Sequence, residues 1–199
     1  MYTRRTLALA SLASPALFCS QVWAESAKAV TSTQPGADRT PLDINQLLLI
    51  ENIKRLRVLY AHYLDLNDME AIANLFSPDA VCDAGLGVWR GRKEIREGLA
   101  AAFADYDKQH QGSYPFMHAM ANQWVVLTGP DSAQGRCYLL DWATQRKQEE
   151  SPLLLLATYA DEYTRIEGIW YISRTRLDIV WPMRNVGGGQ PGKDIVLPN

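Results

Sequence analysis

Residues 116–127 read FMHAMANQWVVL, and this stretch decides the fold class. Large apolar side chains alternate in it with small or polar ones, which is the two-residue period of a β-strand. Three more segments rich in β-branched and aromatic residues follow, at 133–144, 153–166 and 170–181. Turn residues separate all four segments, so the sequence predicts a meander of long strands.

Upstream of this meander the apolar period is that of helices. The pattern predicts a long helix at 43–65 and a short second helix at 67–76. A short pair of strands at 80–89 and a third helix at 92–106 follow. Asp43 can cap the long helix, and Asn67 with Glu70 has the spacing of a capping box for the short one. Helices followed by a run of strands indicate a single α+β domain.

The first 24 residues have the layout of a cleaved secretory signal. Arg4 and Arg5 precede an apolar stretch, and the small Ala24 would stand just before the cut. Residues 3–7, TRRTL, are similar to a twin-arginine signal, with ordinary secretion as the alternative. We therefore expect a periplasmic or secreted protein with a linker at 25–40, a domain at 41–182 and a C-terminal tail at 183–199.

Composition excludes several kinds of partner. The 20 Lys and Arg residues are balanced by 22 Asp and Glu residues, so the net charge of −2 offers no basic surface for nucleic acid. The N-terminal apolar run is shorter than the roughly 20 residues of a membrane span, and we expect no membrane association after cleavage. Cys82 and Cys137 would remain in the mature chain, and two such cysteines on strands are more often buried small apolar residues than a disulfide.

The chemistry available to the chain is that of side chains alone. Its three histidines, His62, His110 and His118, have no metal-ligand spacing with cysteine or carboxylate. The sequence contains no phosphate-binding loop, nucleophile elbow or dinucleotide fingerprint. We therefore predict no metal and no cofactor.

Two polar residues are candidates for a functional site, one at the end of the long helix and one in the first strand of the meander. Asp65 ends the long helix, where the helix dipole opposes an acid, so that it is either functional or merely the end of the helix. His118 shares one face of its strand with Met120 and Asn122. A lone strand histidine is more often structural, unless a carboxylate elsewhere orients it as a general base.

Asp141 is the third candidate, an acid in the middle of an apolar strand. A buried unpaired carboxylate is costly, so Asp141 must face water, a cation or a pocket. Arg174 or Arg176 could supply the cation, and a cross-strand surface ion pair is the alternative.

Four blocks of the sequence form a further pattern: IKRLRVLYAHYLD at 53–65, AIANLFSPDAV at 71–81, WRGRKEI at 89–95 and YADEYTRIEGIWYISR at 159–174. In their order and spacing they resemble the SnoaL-like family of the nuclear transport factor 2-like superfamily. The resemblance covers residues 41–181. It implies a conical α+β fold, with three N-terminal helices packed in a curved, mainly antiparallel sheet and a deep apolar pocket at the wide end.

The resemblance also implies a site. Asp65 and His118 match the Asp-His dyad of enzymes such as scytalone dehydratase and hexachlorocyclohexane dehydrochlorinase, and Tyr60 and Asp141 match a tyrosine and a second aspartate of the bile-acid dehydratases. Arg176 completes the expected catalytic set. The expected substrate-binding residues are Tyr63, Phe116, Asn122, Trp124, Trp142 and Arg174.

The implied activity is that of a cofactor-independent lyase, a dehydratase-like enzyme. Its substrate would be a ring-containing apolar molecule such as a steroid, a polyketide or a lignin-derived aromatic. The alternatives are an isomerase, cyclase or epoxide hydrolase in the same pocket, or a non-catalytic binding protein. The resemblance further implies a homo-oligomer, a trimer rather than a dimer.

Overall fold

The computed structural model describes residues 41–85, 87–107, 115–182 and 197. The three helices of these ranges are α1 (Ile44–Asp65), α2 (Met69–Asn74) and α3 (Gly91–Tyr106). Six strands accompany them: β1 (Phe76–Asp83), β2 (Val88–Arg90), β3 (Phe116–Gly129), β4 (Ser132–Ala143), β5 (Leu153–Ile166) and β6 (Ile169–Trp181). The predicted α+β class is confirmed. The predicted signal, linker and, apart from Leu197, tail lie outside the described residues.

Helix α1 begins where the sequence predicts. The Asp43 side chain accepts hydrogen bonds from the backbone N–H groups of Asn45 and Gln46 at 2.7 and 2.9 Å. The Gln46 side chain accepts the Asp43 N–H at 3.1 Å, so both halves of a capping box are present. The helix buries one face, at Ile50, Ile53, Leu56, Arg57, Tyr60, Ala61 and Leu64. Among the described helices, none is long and apolar enough to cross a membrane.

The capping box predicted from Asn67 and Glu70 is wrong. Asn67 has a φ of 58° and donates its N–H to the Leu64 carbonyl at 3.0 Å, so it belongs to the turn that closes α1. The cap of α2 is Asp68, whose side chain accepts the Ala71 N–H at 2.9 Å. Helix α2 ends at Asn74, and Phe76 already belongs to β1.

The six strands form one sheet in the order β2-β1-β6-β5-β4-β3. Every neighbouring pair is antiparallel except β1 and β6, which run parallel with Asp83 beside Arg176. Apolar residues of α1, α2 and α3 pack with one face of this sheet in a single core cluster. Cys82 and Cys137 are free and buried in that core.

Strand β3 changes face partway along its length. Its pairing with β4 shifts between Ala121 and Trp124, and Asn122 has a φ of 49°. Met120 packs against the core before the irregularity, whereas Val125 is the buried residue after it. Asn122 itself is exposed, so the prediction that it shares the inner face with His118 is wrong.

Candidate active site

Asp65 and His118 meet across α1 and β3. The imidazole Nδ1 lies 2.5 Å from Asp65 Oδ1, and the His118 backbone N–H points at both carboxylate oxygens at 3.3 and 3.4 Å. The His118 side chain is 5% exposed and that of Asp65 27% exposed. An ionised carboxylate accepts the Nδ1 proton, which leaves Nε2 as the basic nitrogen.

Asp141 stands on the other side of the imidazole. It is the direct cross-strand partner of His118 in the β3–β4 ladder, and its Oδ1 lies 3.7 Å from Nε2. The residue is 4% exposed, and Oδ1 has no hydrogen-bond partner. Burial raises the pKa of Asp141 to about 6, the His118 charge opposes this rise and the Asp65 charge adds to it. Of the environments that the sequence allowed, Asp141 faces a pocket.

Tyr60 reaches the same pocket from α1, the helix that ends at Asp65. Its ring meets those of Tyr159 and Phe76 edge to face, with centroids 5.9 and 6.2 Å apart. Burial raises the pKa of Tyr60 above its ordinary value, so the hydroxyl remains a proton donor.

Tyr60, His118 and Asp141 line a cavity of about 100 Å³ whose other walls are mainly apolar or aromatic. Phe116, one of the residues expected to bind substrate, is among these walls and stacks edge to face on Tyr106 and His118. The lining residues are Tyr60, Leu64, Ala84, Gly85, Trp89, Leu99, Ala102, Tyr106, Phe116, His118, Leu139, Asp141, Leu154, Leu155, Tyr159, Leu177 and Ile179.

The two predicted arginines do not line this cavity. Arg176 donates from Nε to Asp83 Oδ2 at 3.0 Å, and Arg174 Nε lies 3.7 Å from Glu162. The residue between them, Thr175, is 1% exposed and points into the core. Strand alternation therefore turns both arginines to the other face of the sheet.

Four more residues expected to bind substrate also stand outside the lining. Trp124 follows the β3 irregularity and alternates with the buried Val125, while Asn122 is exposed at the irregularity itself. Trp142 alternates with the inward Asp141, and Tyr63 packs at the edge of the core. The cavity thus brings together His118, Asp141, Tyr60 and Phe116 and leaves these four apart, while Asp65 contacts His118 without lining the cavity itself.

A buried ion pair behind the cavity, formed by Arg57 and Asp161, was not predicted from the sequence. Arg57 is fully buried and donates to Asp161 and Thr175. Its position three residues before Tyr60 is the signal that could have found it, because residues at that spacing share a helix face. Tyr159 was missed because β5 also contains Tyr163, and the pattern does not say which ring lines a cavity. Trp89 was missed because β2 has only three residues, too few for an alternation to show which side it faces.

Within the described ranges, no group of three or more His, Cys, Asp or Glu side chains is arranged to hold a metal ion. Asp65, His118 and Asp141 instead form a row in which the imidazole of His118 contacts Asp65 through Nδ1 and turns Nε2 toward Asp141.

The α+β fold of the chain is the cystatin-like, or nuclear transport factor 2-like, fold of several solved structures. Residues 45–176 match the model of the SnoaL-like domain, and the chain belongs to that family.

Several solved structures share the fold. A protein of Nostoc punctiforme with a cystatin-like fold is 21% identical with a TM-score of 0.58, over 71% of this chain and 96% of its own. A candidate scytalone dehydratase of Novosphingobium aromaticivorans is 22% identical with a TM-score of 0.55, over 75% and 94%. A candidate aromatic ring hydroxylase of the same organism is 26% identical with a TM-score of 0.56, over 73% and 97%.

Proposed function

We propose that this protein is a cofactor-independent lyase that eliminates water from a ring-containing apolar molecule. The observation that carries the proposal is the row Asp65–His118–Asp141, in which one imidazole nitrogen is held by a carboxylate at 2.5 Å and the other faces a buried acid at 3.7 Å. One solved neighbour is described as a candidate scytalone dehydratase, which agrees with this class of reaction.

In the proposed reaction, His118 Nε2 removes a proton from a carbon of the substrate while Asp65 holds the ring. The electron pair of the broken C–H bond forms the new double bond, and the C–O bond to the leaving hydroxyl breaks. Asp141 in its protonated form gives its proton to that hydroxyl, which leaves as water. Transfer of the proton from Nε2 to Asp141 then restores the starting state. A positioned base contributes roughly 10²–10⁴-fold to such a step.

Tyr60 supplies the remaining polar contact. Its buried, protonated hydroxyl would donate a hydrogen bond to a carbonyl or hydroxyl oxygen of the substrate as negative charge develops there. The rings of Trp89, Phe116 and Tyr106 would hold the apolar part of the substrate.

The size of the cavity favours a small substrate. Its volume of about 100 Å³ lies below the roughly 300–1,000 Å³ of sites for drug-sized ligands. An apolar protein cavity of about 150 Å³ holds one benzene molecule, so this cavity must widen on binding even for a single ring. We therefore favour a single-ring, lignin-derived type of compound over a steroid.

The test is a mass-spectrometric screen of hydroxylated ring compounds with the purified protein, in which a substrate loses water. His118→Gln should lower the rate at least roughly 100-fold without loss of the fold, because the base is gone. His62→Gln, which changes an exposed histidine of α1, is the matched control and should keep full activity. Full activity of His118→Gln would contradict the proposal.

Isomerisation is the second candidate, because the 3.7 Å between Nε2 and Asp141 also suits the return of the abstracted proton to a different carbon. An isomerase would leave the substrate mass unchanged in ordinary water and add deuterium in heavy water.

Export, trimer formation and the absence of a cofactor remain predictions from sequence.

A further inference from the structure

Arg57 is a fully buried cation that the proposed reaction does not use. It extends from α1 into the core, where Nε donates to Asp161 Oδ2 at 2.9 Å and Nη2 donates to Asp161 Oδ1 and Thr175 Oγ1. Thr175 and Tyr163 each donate a further hydrogen bond to the same carboxylate, at 2.6 and 2.8 Å. The Asp161 oxygens are thus saturated, whereas Nη1 of Arg57 has no hydrogen-bond partner.

The guanidinium lies against two tyrosines that line the cavity. Arg57 Cζ is 3.9 Å from the centroid of the Tyr159 ring and 4.7 Å from that of Tyr60. Arg57 does not itself line the cavity. A substrate in the cavity would therefore meet the two phenols, with the cation behind them.

The position of this charge affects the phenols chemically. Burial is the larger influence and raises the pKa of Tyr60 and of Tyr159, while the positive charge of Arg57 acts in the opposite direction on both. A phenol beside a cation is a stronger hydrogen-bond donor, because its partial negative charge is stabilised as the proton is shared.

A contribution to stability is a weaker explanation for the buried cation of Arg57 than its effect on the phenols. Taking both members of an ion pair out of water is expensive, and apolar residues of similar volume often stabilise a core as well or better. The orphaned Nη1 adds to that cost.

We propose that Arg57 is a positioning residue: it holds Tyr60 and Tyr159 against the cavity and strengthens Tyr60 as a donor to an oxygen that becomes negative. This inference rests on the proposed function for the identity of that oxygen. The physical effect, stabilisation of a bound oxyanion through Tyr60, can be measured without turnover.

The probe is 4-nitrophenol, a single-ring phenol whose ionised form absorbs visible light. Absorbance titration of the bound probe in the full-length protein gives its ionisation constant. The comparison is between the wild type and the double variant Arg57→Met with Asp161→Asn, which removes both charges so that neither remains alone in the core. We expect ionisation to become about tenfold less favourable in the double variant.

Three further variants separate this role from a purely structural one. Tyr163→Phe loses one hydrogen bond to Asp161 but keeps both charges, and should leave the probe unchanged. Arg57→Lys keeps the cation and should retain most of the effect. In a Tyr60→Phe background, removing the charge pair should change ionisation less than about twofold, because Arg57 acts through Tyr60.

An unchanged ionisation constant in a folded double variant would overturn the inference, as would an undiminished effect in the Tyr60→Phe background. Failure of the wild type to bind the probe would overturn it too, since a phenol-lined apolar cavity must accept a phenol. Absence of turnover with every substrate, together with the expected probe results, would refute the lyase proposal alone.

Discussion

The carboxyl group of Asp141 is buried at a cost to the folded state. Burial raises its pKa from an ordinary 3.8 to about 6. Between these pH values the folded chain keeps a proton that the unfolded chain has lost. The free energy of unfolding therefore falls as pH rises through this range and stays lowered above it.

We predict that Asp141→Asn raises the free energy of unfolding at about pH 8 by roughly 2–3 kcal/mol, because a shift of about two units corresponds to nearly 3 kcal/mol. At about pH 3, where both states of the wild type are protonated, the variant should gain almost nothing. Urea denaturation at the two pH values measures the difference.

Glu149→Gln, which changes an exposed carboxylate, is the control and should show no such pH-dependent gain. A gain of equal size at both pH values would show that packing, and not ionisation, is responsible. The proposed function requires Asp141→Asn to lose activity, so stability and turnover should move in opposite directions.

At the scale of elements, the irregularity in β3 lets one strand serve both the site and the core. His118 lies on the inner face of the sheet before the irregularity at Asn122, and Val125 lies on the same face after it. A φ of 49° is tolerated by asparagine but strained for a β-branched residue. The backbone at Asn122 therefore sets which face His118 occupies.

We expect Asn122→Val to destabilise the protein by about 1–3 kcal/mol, the range for a strained backbone position. Asn122→Gly should change stability by no more than about 0.5 kcal/mol, because glycine adopts positive φ freely. Thermal denaturation of the two variants provides the comparison, and equal losses in both would argue against backbone strain.

Helix α3 supports a cavity wall through Gly98. A Cβ atom at Gly98 would lie 2.2 to 2.6 Å from three ring atoms of Trp89, which lines the cavity. Gly98→Ala should therefore displace the indole and weaken binding of 4-nitrophenol about tenfold, although alanine normally favours a helix by about 1 kcal/mol. Equilibrium titration measures the affinity.

Adding Trp89→Ala to Gly98→Ala removes the clash and is the control for it. The double variant should be more stable than Trp89→Ala alone, since only the helix-forming preference of alanine then remains. Unchanged probe affinity in Gly98→Ala would mean that Trp89 can move without altering the cavity.

The elements themselves were largely predictable, while their exact ends and faces were not. The periods of residues 44–64 and 116–181 correctly gave α1 and the four long strands. The cap of α2 was assigned to Asn67 because the spacing to Glu70 fits, yet the turn after α1 needs a left-handed residue there. Similarly, alternation along β3 contains no sign of the shift at Asn122, which depends on pairing with β4.

At the scale of the molecule, the residues of the site differ in how visible they were. Asp65, His118 and Asp141 stood out because each is polar in an apolar pattern, and the structure brings them together. The side of the sheet on which Arg174 and Arg176 lie was ambiguous. Residues two apart share one face of a strand, and the sequence does not say which face that is. The ion pair of Arg57 and Asp161 joins positions 104 residues apart, which no local pattern predicts.

The N-terminal signal predicted from the sequence leads to a test on the whole chain. Expressed in a bacterium with its own leader, the protein should be recovered from the periplasm or medium with Glu25 as its first residue. N-terminal sequencing or intact mass measures this. Replacing Arg4 and Arg5 by Lys should abolish export if the twin-arginine route is used and spare it if ordinary secretion is used.

Recovery of the uncleaved chain from the cytoplasm alone would contradict the predicted signal.

The parallel pairing of β1 with β6 also governs the order of events during synthesis. Strand β6 lies between β1 and β5 in the sheet, although among the described strands it is the last to leave the ribosome. Until then, β1 and β5 each present an open edge, and the wall of the cavity formed by Leu177 and Ile179 does not exist. Folding must therefore await synthesis of nearly the entire domain. Because β1 must pair with a strand far away in the sequence, we expect the domain to fold slowly compared with helical proteins of this size.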